Sequence, residues 1–173
     1  MKAQMASRSG NGGTAPSNST EALLAVRDLS VSFRDDTGWV ETLKDVSLTV
    51  RPGETLGIVG ESGCGKSLTA LSILGLLPRR NCLRTGEILF EGSDIAKYSD
   101  SEMRRVRGRR ISMIFQEPMS ALDPVFTVGD QISETARTHF SVTRREAFER
   151  SVEALAAVGI ASPRNCAIRA WSS

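Results

Sequence analysis

The chain is poor in rings. Among 173 residues there are one tyrosine, two tryptophans and one histidine, and aromatics make up 5%. A face that stacks on bases interleaves aromatics with its cations, and this chain has little material for one. Cysteine is scarce too: Cys64, Cys82 and Cys166 are an odd number without metal-ligand spacing. That argues against a disulfide framework or a zinc cage and points to a reducing compartment. No apolar run approaches the ~20 residues that cross a bilayer, and the first residues lack the apolar stretch of a secretory signal. Neither sign of charge dominates, with 22 Lys and Arg against 20 Asp and Glu. The balance gives no reason to expect a nucleic-acid or membrane-surface protein. What remains is ordinary: one domain's length and 40% apolar residues, enough for a core.

One stretch organises the rest. Gly60-Glu61-Ser62-Gly63-Cys64-Gly65-Lys66-Ser67 fits G-x-x-x-x-G-K-[ST]. Glycines at 60, 63 and 65 free the backbone so that successive N–H groups turn into one concavity and hold an anion. Lys66 adds a point charge for β- and γ-phosphates, Ser67 a hydroxyl for Mg²⁺, and the helix that follows its positive N-terminal end. Upstream, Thr55–Val59 is an apolar run suited to a strand buried on both faces. Downstream, Leu68, Leu71, Ile73, Leu74 and Leu77 predict a buried helix ended by Pro78. Cys64 lies beside a helix N-terminus, where alkylation would block the loop; a small residue that simply fits is the equal alternative.

In chain order, residues 1–20 are mostly Ser, Gly, Asn, Thr and Ala and read as a disordered leader or a mis-called start. Ala22–Phe33 predicts a strand with a bulge where the alternation breaks between Val26 and Leu29. Val40–Val50 predicts a second strand, Gly86–Phe90 a third and Ile111–Phe115 a fourth. Ser99-x-x-Glu102 and Thr143-x-x-Glu146 are capping boxes for helices that Gly108 and Gly159 end. Thr127 caps a helix through Ile132. Phe148, Val152 and Leu155 share one helical face. The arginines at 104, 105, 107, 109 and 110 form a solvated face.

The loop alone leaves open a GTPase, a small-molecule kinase and a transport ATPase. No asparagine is followed by lysine, so the guanine-reading motif is absent, and the arginine cluster is weak support for a kinase lid. Residues 113–124, Met-Ile-Phe-Gln-Glu-Pro-Met-Ser-Ala-Leu-Asp-Pro, resemble the Q-loop of ATP-binding-cassette (ABC) ATPases. Together with residues 57–67 and 124–132 they resemble the dipeptide/oligopeptide/nickel import subfamily.

The resemblance implies an α/β P-loop NTPase core with an N-terminal antiparallel β subdomain and the start of a helical subdomain from Glu117 to Val125. It implies ATP and Mg²⁺ held by Gly60, Glu61, Ser62, Gly63, Cys64, Gly65, Lys66 and Ser67. Gln116 would position Mg²⁺ and water and couple to the membrane subunits. Phe33, or Trp39 in its place, would stack on adenine. The implied partners are permease subunits, a second ABC ATPase and, indirectly, a substrate-binding protein, with no nucleic acid. The implied location is the cytoplasmic side of the bacterial inner membrane.

The family's Leu-Ser-Gly-Gly-Gln signature, its strand ending in Asp-Glu and its switch histidine do not occur in these residues. His139 falls in a helical stretch and reads as a surface residue. The expectation is therefore a partial nucleotide-binding domain over 21–163 with the C-terminal half missing. Without the base and signature, a non-catalytic nucleotide-binding fragment is the alternative. Residues 164–173 read as an irregular tail of the kind a frameshift or early stop would leave.

Overall fold

The computed structural model describes residues 5–8, 22–116 and 122–169. It divides into two compact units, Met1–Met103 and Arg104–Ser173.

The first unit is built on an antiparallel sheet. β2 (Leu24–Asp35) pairs with β3 (Gly38–Val50) through a turn in which the Asp35 carboxylate accepts from the Thr37 N–H at 2.7 Å and the Gly38 N–H at 3.0 Å. β5 (Cys82–Phe90) lies on the other side of β2 and carries the short β6 (Ser93–Asp94), giving the order β3-β2-β5-β6. The expected N-terminal antiparallel subdomain is this sheet. Val26, Leu29, Val31 and Ile88 are its buried centre.

The bulge lies where the pattern breaks, between Val26 and Leu29. Asp28 there has φ 49°. Ser47 Oγ accepts from the Asp28 N–H at 2.9 Å and donates to its carboxylate at 3.2 Å, satisfying the group the ladder leaves out. β5 starts four residues before its expected beginning at Gly86.

β4 (Thr55–Ile58) departs from expectation. It pairs with β1 (Met5–Arg8), antiparallel, in a separate two-stranded sheet. It is not the buried central strand of a parallel sheet: Ile58 is 42% exposed and, just beyond it, Val59 72%. Residues 5–8 of the stretch read as a leader are thus a strand; the rest of that stretch lies outside the described residues.

α1 (Lys66–Ile73) follows the glycine loop and stops earlier than expected. Gly75, φ 60°, ends it. The Gly75 N–H bonds the Ser72 carbonyl and the Leu76 N–H the Leu71 carbonyl, closing the last turn before Pro78 is reached. A 3₁₀ turn (Ile95–Lys97) and α2 (Asp100–Val106) follow, the latter opened by the Ser99–Glu102 pair.

The second unit is helical. α3 (Val128–His139) and α4 (Arg144–Ala157) start at the expected caps, Thr127 and Thr143. α3 runs seven residues past its expected end at Ile132. Ser133–His139 is polar and weakens the apolar period, yet it holds no glycine or proline to break the helix. Gly159 closes α4. α5 (Pro163–Ala167), inside the stretch read mostly as an irregular tail, packs Ala167 against Val128 and Leu155, with Ile132, Phe148 and Val152 around them. His139 is half-buried, and its Nε2 would lie 2.5 Å from a Cβ at Gly108. Ile111–Phe115 is not a strand. It makes a single parallel bridge, Arg107 to Ile111, because among the described residues no strand runs beside it to share a ladder.

Candidate nucleotide site

The loop from Gly60 to Ser67 leaves β4 and turns directly into α1. Gly65 is the N-cap at φ 92°, a conformation that strains any side chain. A Cβ there would also sit 2.5 Å from Leu43 Cδ1 on β3. The helix start therefore rests on the antiparallel sheet, through a contact the motif does not announce.

The N-terminus of α1 is left electrically open. No side chain caps it, and its first turn holds no acidic residue. The first N–H groups of a helix have no carbonyl behind them, so partial positive charge collects at this end. Lys66 adds a full charge. Its Nζ donates to the Gly60 and Glu61 carbonyls, 2.7 Å each, and lies 3.3 Å from Cys64 Sγ. The ammonium thus folds back over its own loop and ties the beginning to the end. Ser67 is exposed at the second helical position. Beside the loop, a cavity of about 470 Å³ is lined by Leu43 and Val46 of β3, Leu56 and Ile58 of β4, and Gly65 and Lys66.

α1 is anchored at its far end by Arg84 on β5. The half-buried guanidinium donates to the Ser72 carbonyl at 3.1 Å and to the Ala96 carbonyl at 2.5 Å. Burial pulls its pKa below the usual arginine value, against the opposing pull of Asp94. Nothing in the sequence marks Arg84, since an arginine at one strand position looks like any solvated residue.

The remaining expected residues are dispersed. Phe33 is half-buried near the end of β2, in register with Val40 and Cys82. Trp39, in register with Arg34, is exposed. Neither lines the cavity beside the loop. Gln116 is exposed and belongs to the second unit. Residues 117–121, the expected opening of the helical subdomain, lie outside the described residues. Among the described residues no group of three acidic, cysteine or histidine side chains is placed to hold a metal, so within the loop a cation would have the Ser67 hydroxyl and its ligand's own oxygens. None of the helices described is long and apolar enough to cross a membrane.

Comparison with known proteins bears on this geometry. A family model described as "ABC transporter" matches residues 43–170. A probable peptide ABC transporter ATP-binding protein, y4tR of Sinorhizobium fredii, is 50% identical over 144 residues, covering 83% of this chain and 43% of that protein. The dipeptide transport ATP-binding protein DppD of Bacillus subtilis is 47% identical over 144 residues, with the same shares. The chain thus spans less than half the length of these relatives. Among solved structures, the ATP-binding cassette MJ0796 in a post-hydrolysis dimer bound to ADP and Pi superimposes with a TM-score of 0.70. It is 20% identical, and the match covers 85% of this chain and 61% of that one, a likeness of fold.

Proposed function

The chain belongs to the ABC transporter family, and from that premise we propose that it is the ATP-binding, energy-coupling part of a peptide importer. The observation that carries this reading is the loop at Gly60–Ser67, with its uncapped, acid-free helix start and its lysine bridging two loop carbonyls.

The loop's backbone amides and the α1 N-terminus would hold the triphosphate of ATP. Lys66 would release the Gly60 and Glu61 carbonyls and turn to the β- and γ-phosphates. The exchange trades neutral carbonyl acceptors for anionic ones, adding the attraction of opposite charges to hydrogen bonds the ammonium already makes. Ser67 would give one oxygen to Mg²⁺, which supplies charge neutralisation between the phosphates when bound. Phe33, with Trp39 as the substitute, offers an aromatic face to adenine. Gln116 offers an uncharged carboxamide to water and metal. Peptide as the transported solute rests on the names of the relatives. The proposal extends, on the resemblance of the sequence alone, to permease subunits, a second ATPase and a substrate-binding protein as partners and to the cytoplasmic side of the bacterial inner membrane.

Lys66→Ala tests the reading. In equilibrium titrations of the purified chain with a non-hydrolysable ATP analogue and Mg²⁺, the variant is expected to bind at least ~10-fold more weakly, one lost charge-assisted contact being worth ~1.5–3 kcal/mol. Lys66 is not part of the core, so its circular dichroism should be unchanged. Equal affinity in the two proteins would refute the reading.

A further inference from the structure

The second unit holds a cavity of about 550 Å³ that none of the expected nucleotide-site residues lines. Ser133 and Arg137 reach it from α3, Arg144, Arg145 and Phe148 from α4, and Ile168 from just after α5. Arg137 and Arg145 make no ion pair among the described residues. Arg144 lies 3.9 Å from Asp130 Oδ1, while the other oxygen of that carboxylate accepts from Thr127 Oγ1 at 2.7 Å. On α4, Glu146 accepts from Thr143 in the cap, and Glu149 pairs with Arg164 while also feeling the charge of Arg145. Three guanidiniums line the space, and Asp130 is the one carboxylate that lines it with them.

Beneath them sits an unexplained polar atom. Ser133 is 6% exposed, lines the same cavity, and its hydroxyl has no hydrogen-bond partner. A helical serine commonly bonds the carbonyl four residues back, as Ser72 does with Leu68 at 2.7 Å. Ser133 does not. Buried hydroxyls are nearly always paired, and an orphan asks for a ligand or a water. Phe148 and Ile168 give the remaining wall an apolar character. Cavities of this size with a few convergent polar groups are typical of small-molecule sites.

We propose that this cavity binds a small organic oxyanion. Its phosphate or carboxylate head is met by Arg137 and Arg145, with the Ser133 hydroxyl turned toward it, and its apolar body lies on Phe148 and Ile168. Guanidinium forks match both kinds of head.

Site-resolved amide NMR of the full chain tests this, with inorganic phosphate, phenyl phosphate and benzoate as probes. Phenyl phosphate and benzoate are expected to shift the amides of Ser133, Arg137 and Phe148 saturably, each at least tenfold more tightly than inorganic phosphate. The double variant Arg137→Gln, Arg145→Gln changes only exposed side chains and should weaken both by tenfold or more. Ser133→Ala should keep the fold, since it removes an orphan, and weaken both probes by a few fold. Arg109→Gln should leave them unchanged. Shifts confined to Gly60–Leu68, equal affinity for inorganic phosphate, or indifference to the double variant or to Ser133→Ala would each overturn the proposal.

Discussion

Gly86 shows how a single residue is fixed by a partner far away in sequence. It sits on β5 at φ 90°, opposite the bulge of β2. A Cβ there would lie 2.5 Å from both the Arg27 and Asp28 carbonyl oxygens. Those are backbone atoms and cannot swing aside. Gly86→Ala is therefore expected to destabilise the first unit by at least ~2 kcal/mol, combining positive-φ strain with the clash. Urea unfolding followed by circular dichroism would measure it. At Gly65 the obstacle is the Leu43 side chain, whose tip can move, so strain there is mostly that of the backbone. Lys66 and Ser67 were legible because a motif fixes their spacing along the chain. Leu43, Gly86 and Arg84 were not, because their roles depend on strands brought together only by folding.

Among the elements, those defined by local chemistry could be read and those defined by a neighbour could not. The Thr127 and Thr143 caps, the Gly159 stop and the Val26–Leu29 bulge follow from residues within a few positions of each other. The end of α1 was hidden because Gly75 sits inside an apolar run, where Pro78 looked the stronger signal. Ile111–Phe115 has a strand's composition but no ladder partner among the described residues. The turn from β5 through β6 into the 3₁₀ helix is held by one carboxylate. Asp94 accepts from the Ile88 N–H at 3.3 Å and the Ala96 N–H at 3.1 Å and pairs with Lys97 at 3.0 Å. Burial alone would raise its pKa, but the hydrogen bonds from Lys97 and the two amides prevail and hold it below the ordinary aspartate value. A carboxyl whose folded pKa is depressed releases its proton more readily in the native state. Its contribution is present above the unfolded pKa and is lost as pH falls through the folded one. Unfolding midpoints in urea should drop between pH 5 and pH 3, and drop less in Asp94→Asn, which starts lower. A variant with the same acid sensitivity as the parent would show that other carboxylates carry the effect.

At the scale of the whole molecule, the antiparallel sheet and the helical unit match what the sequence implied, while the setting of the loop strand does not. Composition marks Thr55–Val59 for burial on both faces, and β4 instead leaves Ile58 and Val59 exposed. An apolar strand can be satisfied only by what lies beside it, and among the described residues the ladder is supplied by β1 alone. Nothing in the sequence marks this, because Met5-Ala6-Ser7-Arg8 has no strand alternation of its own and runs straight into Ser9-Gly10-Asn11-Gly12-Gly13. The pairing has a consequence for solubility. Removing residues 1–8 leaves both edges of β4 without a partner among the described residues, and bare apolar edges recruit other chains. The shortened protein is expected to show concentration-dependent light scattering at concentrations where the parent stays monomeric. Adding Ile58→Lys to the deletion should restore the monomer, because a charge on an edge strand resists edge-to-edge pairing. If the shortened chain stays monomeric without that lysine, β1 is not what protects β4.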